Sequence, residues 1–209
     1  MRLMVVLSFL SLFLLMSGCE PRVVFVVDDV SFLKSLEGSV KEGPMHVTYD
    51  DYDGKKKRYD ECIGTPTIGY GTTDRGEVMK GEITEERAQE LLKVELESIS
   101  KFICDNVTVE LTVPQTISLE SFVYNVGRKN FLESTLLKVL NDGKYDEVPA
   151  QMMRWVYSGG KVSEGLKKRR KKEVWMWSTS PDAVACRGTV HCGMKMWRKQ
   201  GTLSSLNKM

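Results

Sequence analysis

Three side chains in the first third of the chain have the types and order that acid-base chemistry on a sugar linkage requires: Glu37, Asp51 and Thr67. Glu37 follows an apolar stretch, Val30-Ser31-Phe32-Leu33-Lys34-Ser35-Leu36, and precedes Gly38. Asp51 ends Thr48-Tyr49-Asp50-Asp51, and Thr67 opens the glycine-punctuated run Thr67-Ile68-Gly69-Tyr70-Gly71. Two carboxylates and a hydroxyl beside a β-turn suit hydrolysis of a glycosidic bond, which needs one proton donor and one activated water. Singly, each has an ordinary explanation, since Glu-Gly is a common helix end and Asp-Asp a common turn. Their succession is the signal.

A second set of blocks extends the pattern: Ser121-Phe122-Val123-Tyr124-Asn125-Val126-Gly127, Phe131 with Ser134-Thr135-Leu136-Leu137, Arg154-Trp155-Val156-Tyr157-Ser158-Gly159-Gly160, and Gly165 through Glu173. Together with Glu-Gly, Tyr-x-Asp and Thr-Ile-Gly-x-Gly, the chain resembles the phage-type lysozymes, or endolysins, of glycoside hydrolase family 24 over most of residues 29–178. The resemblance implies a muramidase that cleaves β-1,4 bonds between N-acetylmuramic acid and N-acetylglucosamine. It also implies roles: Glu37 the general acid, Asp51 the carboxylate that activates water, Thr67 the hydroxyl that clamps it, Tyr124 and Thr135 contacts to substrate. In such an inverting arrangement the two carboxyls stand about 6.5–9.5 Å apart. Asp50 competes with Asp51 for the second role, and the spacing after Tyr49 favours Asp51. The Asp51-to-Thr67 interval is longer than in compact members, stretched by Asp53 through Gly64. Two other functions stand beside this one. A lytic transglycosylase needs a single Glu, and Asp51 and Thr67 argue against it; a non-catalytic peptidoglycan-binding lipoprotein would have no need of an intact polar trio.

The elements that must position these residues follow from pattern. Asp29 or Ser31 can cap a first helix running to about Leu36, with Gly38 ending it. Thr48 to Tyr52 and Pro66 to Tyr70 have strand composition, giving a small β-hairpin lobe. From Thr84 a capped helix carries Leu91, Leu92, Val94, Leu96 and Ile99 at helical spacing. Val113-Pro114 interrupts, and helices follow at about 115–125, 131–141, 145–156 and 166–177. The expected fold is α+β and lysozyme-like: a hairpin lobe, a larger helical lobe and a cleft between them. Trp155, Trp175 and Trp177 are expected in the core.

The ends carry a different message. Arg2 followed by an apolar run from Leu3 to Met16, about 14 residues where a membrane span wants ~20, reads as a secretory signal over residues 1–18. Leu15-Met16-Ser17-Gly18-Cys19 resembles a lipobox, making Cys19 the lipidation candidate and residues 19–28 a tether. The rival is a signal-anchor-release segment, as in some phage lysozymes, although those are rich in Gly and Ala. Residues 179–209 form a C-terminal extension too small for a core of its own. The remaining cysteines, Cys62, Cys104, Cys186 and Cys192, are even in number in an exported chain; Cys186–Cys192 and Cys62–Cys104 are the expected disulfides. His191 beside them offers no paired C-x-x-C spacing, so neither metal nor cofactor is expected. A net charge of +2 over 209 residues gives no reason to invoke nucleic acid. The clusters Lys55–Arg58 and Lys167–Lys172 read as solvated faces. The expected partners are peptidoglycan and, through the lipid anchor, a membrane; the expected state is a monomer in the periplasm or cell envelope.

Overall fold

The computed structural model describes residues 28–180 and the backbone of two short flanking strands. Cys19, Cys186, Cys192 and the signal segment lie outside the described residues. Helix α1 (Asp29–Lys34) is started by Asp28, one residue earlier than expected, whose carboxylate accepts from the Ser31 amide (2.7 Å) and hydroxyl (2.9 Å). Gly38 does not stop it in a left-handed turn. Instead the amides of Leu36 and Glu37 both return to the Leu33 carbonyl at 2.8 Å, so the chain tightens at the helix exit and leaves Glu37 there.

Two small sheets follow. Strands β2 (Lys41–Glu42), β3 (Met45–Val47) and β6 (Glu82–Ile83) form an antiparallel sheet in the order β2-β3-β6. Nothing in the sequence pattern announced it, because strands of two and three residues carry no readable alternation. The expected hairpin is present as β4 (Tyr49–Asp50) and β5 (Pro66–Thr67), pairing Tyr49 with Thr67 and Asp50 with Pro66. A single-turn helix α2 (Arg75–Val78) leads to β6.

The helical lobe begins with α3 (Glu85–Asn106), where the Thr84 hydroxyl caps the Arg87 amide at 3.2 Å. Ala88, Leu92, Leu96, Ile99 and Ile103 form its buried stripe, and Val94 faces solvent. Helix α4 (Val113–Val126) takes Pro114 into its first turn, where a missing N–H costs nothing, and closes a capping box between Thr112 and Gln115. Helices α5 (Arg128–Leu132) and α6 (Thr135–Asn141) occupy the predicted 131–141 span, divided where Ser134 caps α6. The predicted 145–156 helix shrinks to one 3₁₀ turn and α7 (Val148–Met152). After the hairpin β7 (Tyr157–Ser158) and β8 (Lys161–Val162), α8 (Glu164–Trp177) packs along α4. Strand β1 (Phe25–Val26) pairs in parallel with β9 (Val184–Ala185), so the tether meets the C-terminal extension.

Two hydrophobic clusters result. One gathers Phe32, Leu33, Ile68, Leu92, Leu96 and Met176 beneath the sheets; the other gathers Leu119, Phe122, Phe131, Leu140 and Met152 in the helical lobe. Helix α3 contributes to both. The small lobe is tied to its N-terminus by Glu85, which accepts from Lys34 (2.7 Å), Lys41 (2.6 Å), Gln89 (2.7 Å) and the Tyr70 hydroxyl (2.7 Å) and touches Nε2 of buried His46 at 2.8 Å. Burial opposes ionisation of Glu85, but those hydrogen bonds prevail and hold it far below the usual carboxylate range.

Three expectations fail here. Cys62 is a free thiol whose Sγ donates to the Arg58 carbonyl at 3.4 Å, so the Cys62–Cys104 bridge is not made: one cysteine sits on the long hairpin loop and the other near the end of α3. Trp175 is 56% exposed, on the outer side of α8, whereas Trp155 and Trp177 do pack on the core. Arg169 and Arg170 are buried, not solvated.

Glu120 on α4 is 4% exposed; burial raises its carboxyl to about 8, with the charge of Asp29 adding and a hydrogen bond with Ser100 opposing. A carboxyl with a folded-state pKa above its unfolded value of 4.5 favours the folded state only while protonated, so stability falls as pH rises through that interval. From pH 6 to pH 8 the fall is expected to be about 2 kcal/mol. Glu120→Gln should flatten that part of the urea-melt profile, and a slope unchanged by the substitution would refute the assignment.

Candidate active site

Thr65 is the backbone pivot of the site. Its amide donates to Asp51 Oδ1 at 2.5 Å, and its carbonyl accepts from the Asp51 amide at 3.2 Å and from the Thr67 hydroxyl at 3.0 Å. The hairpin thus fixes one oxygen of Asp51 and, through one peptide group, orients Thr67, which is 5% exposed. Asp51 itself is solvent-exposed. Tyr49, the cross-strand partner of Thr67, is half-buried, and its phenol is raised by burial first, then by the charges of Glu37 and Asp51. The charges of both carboxylates thus act on the ring whose backbone pairs with Thr67.

Asp50 has another task. It is fully buried; Oδ1 accepts from the amides of Tyr52 (3.1 Å) and Gly64 (2.9 Å), and Oδ2 from the Ile63 amide (2.7 Å) and Lys57 Nζ (2.8 Å). The Lys57 ammonium and these amides hold Asp50 well below the usual carboxylate range. Lys57, which also meets Asp53 at 3.0 Å, is pushed up to about 12 by the two aspartates. With every lone-pair direction occupied, Asp50 pins the two ends of the 53–64 insertion, through Tyr52 just before it and Ile63 and Gly64 at its close, and has no capacity left for water. Gly64 belongs to the same clamp. A Cβ there would overlap Asp51 Oδ1 and stand 2.7 Å from Asp50 Oδ1 and 2.9 Å from Tyr52 Cβ. Gly64→Ala is expected to displace Asp51 and, if Asp51 serves the site, to lower its turnover about tenfold, since small misplacements of reacting groups are costly; wild-type rates in a folded variant would contradict the clamp.

Glu37 is held by a side chain of α8. Arg169 Nη1 donates to Glu37 Oε1, Nε donates to Glu173 Oε1 at 3.0 Å, and Nη2 donates to the Ser121 carbonyl (3.1 Å) and hydroxyl (3.2 Å). Ser121 donates to Glu173 Oε1 at 2.7 Å. Arg170, fully buried over the face of Phe122 with 4.8 Å to the ring centroid, reaches Asn125 Oδ1 at 2.6 Å and Glu173 Oε1 at 3.2 Å. Its Nε lies 2.9 Å from Glu173 Oε2, an ion-pair distance without hydrogen-bond alignment. Burial lowers Arg170 to about 10, so it remains cationic at neutral pH. None of Arg169, Arg170, Ser121 or Glu173 was singled out from the sequence. The signal existed: Glu173 stands four positions after Arg169 and three after Arg170, which places all three on one helix face.

Tyr124 is half-buried and packs against both clusters, and its hydroxyl donates to the Tyr70 carbonyl at 2.6 Å. Burial first, then the charge of Glu37, raises its phenol. The carbonyl it meets belongs to the turn in which Ile68 and Thr72 exchange amides (2.9 and 3.0 Å) and Gly69 and Gly71 take φ of 64° and 109°. A side chain at Gly71 would meet the Tyr124 hydroxyl at 2.7 Å. Thr135, by contrast, opens α6 with an exposed side chain. Among the described residues no hydrogen bond links it to Glu37, Asp51 or Thr67.

Residues 50–173 match the phage lysozyme family. The chain belongs to that family. The matched stretch contains Asp51, Thr67, Arg169 and Glu173, while Glu37 precedes it and is joined to it by the Arg169 ion pair. A SAR-endolysin of Bacteriophage PS119 is 37% identical over 126 residues, covering 58% of this lysozyme and 74% of that protein. The SAR-endolysin of Enterobacteria phage P21 is 32% identical over 123 residues, 57% and 73% of the respective lengths. Among solved structures, the muramidase domain of SpmX from Asticaccaulis excentricus is similar with a TM-score of 0.60 and 28% identity, covering 73% of this chain and 95% of that one. A P22 lysozyme mutant gives 0.58 and 29%, covering 72% and 95%. The α+β, lysozyme-like fold is thereby established, and the protein is a lysozyme-type hydrolase of the cell wall.

Proposed function

We propose that this lysozyme is an inverting muramidase cutting the β-1,4 bond between N-acetylmuramic acid and N-acetylglucosamine. In this reading Glu37 protonates the leaving oxygen. Asp51, with Oδ1 fixed by the Thr65 amide, takes a proton from water through Oδ2. Thr67 donates its own proton to the Thr65 carbonyl, so its hydroxyl oxygen is left to accept from that water and aim it. Arg169 engages one oxygen of Glu37 and leaves the other for the glycosidic oxygen. The observation that carries the reading is the Thr65 peptide, which holds Asp51 Oδ1 through its amide and the Thr67 hydroxyl through its carbonyl. Tyr124 and Thr135 are the substrate contacts the family resemblance implies.

Stereochemistry tests it. One displacement by water inverts the anomeric carbon, whereas attack by Asp51 itself would retain it. Digestion of purified peptidoglycan, followed by NMR of the reducing end before mutarotation, should show the α-anomer. A β-anomer would refute single displacement, and 1,6-anhydromuramic ends would make the enzyme a lytic transglycosylase.

Export is part of the same reading. Several relatives are described as SAR-endolysins, which supports release into the periplasm or envelope and gives the signal-anchor-release alternative more weight than the Leu- and Phe-rich segment alone does. Cys19 remains the lipidation candidate; the mass of the mature N-terminus separates the two, an acylated Cys19 marking the lipoprotein and an intact Met1 the signal anchor. Among the described residues no helix is long and apolar enough to cross a membrane.

A further inference from the structure

The insertion at 53–64 and the residue before it present two apolar side chains to solvent next to Asp51: Tyr52 is 76% exposed and Ile63 is 79% exposed. Such residues on a free loop would carry no message, but these two are not on a free loop. Their amides bind opposite oxygens of the same buried carboxylate, Tyr52 N–H to Asp50 Oδ1 at 3.1 Å and Ile63 N–H to Asp50 Oδ2 at 2.7 Å. The two backbones are therefore neighbours, and both side chains rise from one fixed base. Lys57 completes the clamp at Asp50 Oδ2, and Gly64 keeps the returning chain close enough that any side chain there would strike Asp51 and Tyr52. Tyr52 also follows directly on Asp51, whose peptide is bonded to Thr65. A rigid aromatic and a branched aliphatic are thus mounted on a buried ion pair next to Asp51.

We propose that Tyr52 and Ile63 form an additional glycan subsite on the Asp51 side of the cleft, in which the Tyr52 ring stacks on the apolar face of a pyranose and Ile63 contacts the methyl of an N-acetyl group. The subsite rests on the muramidase reading and extends it: the insertion selects long, N-acetylated glycan strands over short ones. The ring of Tyr52 supplies a flat apolar surface at little entropic cost, and the absence of charge on either side chain suits a sugar face better than an ionic peptide stem.

The full chain carrying Glu37→Gln, which cannot turn substrate over, serves as the parent for binding. Its affinity for peptide-free chitooligosaccharides of three and six sugars is measured by calorimetry, alone and with Tyr52→Ala, Tyr52→Phe or Ile63→Ser. Expected are about three- to tenfold weaker binding of the six-sugar ligand by Tyr52→Ala, a smaller loss for Ile63→Ser, retention by Tyr52→Phe and little change for the three-sugar ligand. Because the substituted residues are mostly exposed, unchanged thermal melts should accompany the loss. Equal affinity of parent and Tyr52→Ala for the long ligand overturns the subsite while leaving the muramidase reading intact. A loss seen only with peptide-bearing fragments overturns the sugar assignment in favour of the stem peptide. A parent that binds no glycan, together with a wild-type chain that does not cut peptidoglycan, overturns both.

Discussion

Glutamine at position 37 should leave a folded protein that lyses peptidoglycan about 10²-fold more slowly or worse. The amide has nearly the shape of the acid and can still accept from Arg169, and Arg169 keeps its bonds to Ser121 and Glu173, so the helical lobe has no reason to shift. What is lost is the proton for the leaving oxygen. Dye release from labelled sacculi, with circular dichroism to verify folding, reads the effect; near-normal lysis by a folded variant would end the assignment of Glu37. Asp51→Asn should behave alike. Asp50→Asn should behave differently, because it replaces two acceptor positions of a four-donor clamp with a donor group. It is expected to loosen the 52–64 loop and lower activity indirectly, a larger consequence than its exclusion from catalysis alone would suggest.

Glu173→Gln should destabilise the fold by about 3–5 kcal/mol, the range seen when one partner of a buried ion pair is removed. Glu173 is fully buried and lies against two guanidiniums, Arg169 and Arg170, themselves 7% and 0% exposed. Burial raises the Glu173 carboxyl and the two arginines oppose the rise. Neutralising it leaves two neighbouring cations of α8 buried without their shared counter-charge. Urea melts measure the loss, and a change under about 1 kcal/mol, the value of an exposed pair, would show that the arginines do not depend on Glu173. Activity should fall too, since Arg169 would lose the anchor from which it reaches Glu37.

Glu37, Asp51 and Thr67 could be proposed from the sequence because their chemistry is rare and their order informative; in the fold Tyr49 pairs with Thr67 and its phenol is raised by the charges of both carboxylates. The Thr84 cap and the stripe on α3 were legible for a local reason, since a hydroxyl before an acidic turn and apolar residues at helical spacing are decided within a few positions. What could not be read depends on partners distant in the chain. Asp50 and Asp51 are alike in composition, and only the return of residues 63–65 separates the clamp from the candidate base. The run Lys167–Lys172 looked like a solvated face because charge clusters usually are; Glu173 and Ser121, one of them on another helix, turn two of those cations inward. The cysteine count was even, yet parity says nothing of distance, and Cys62 found no cysteine partner.

Helix α3 has a mechanical consequence. At 22 residues it is a rod of roughly 33 Å, and its buried stripe passes from the cluster under the sheets to the cluster of the helical lobe without a break: Leu96 belongs to the first and Ile99, one turn on, to the second. The two lobes therefore share a beam. They cannot melt independently, because loosening either core frees half of the same helix. Any widening of the cleft must be taken up as flexure of that beam or at the short connections around Glu37 and Thr84, so a glycan strand entering the groove works against the stiffness of one helix.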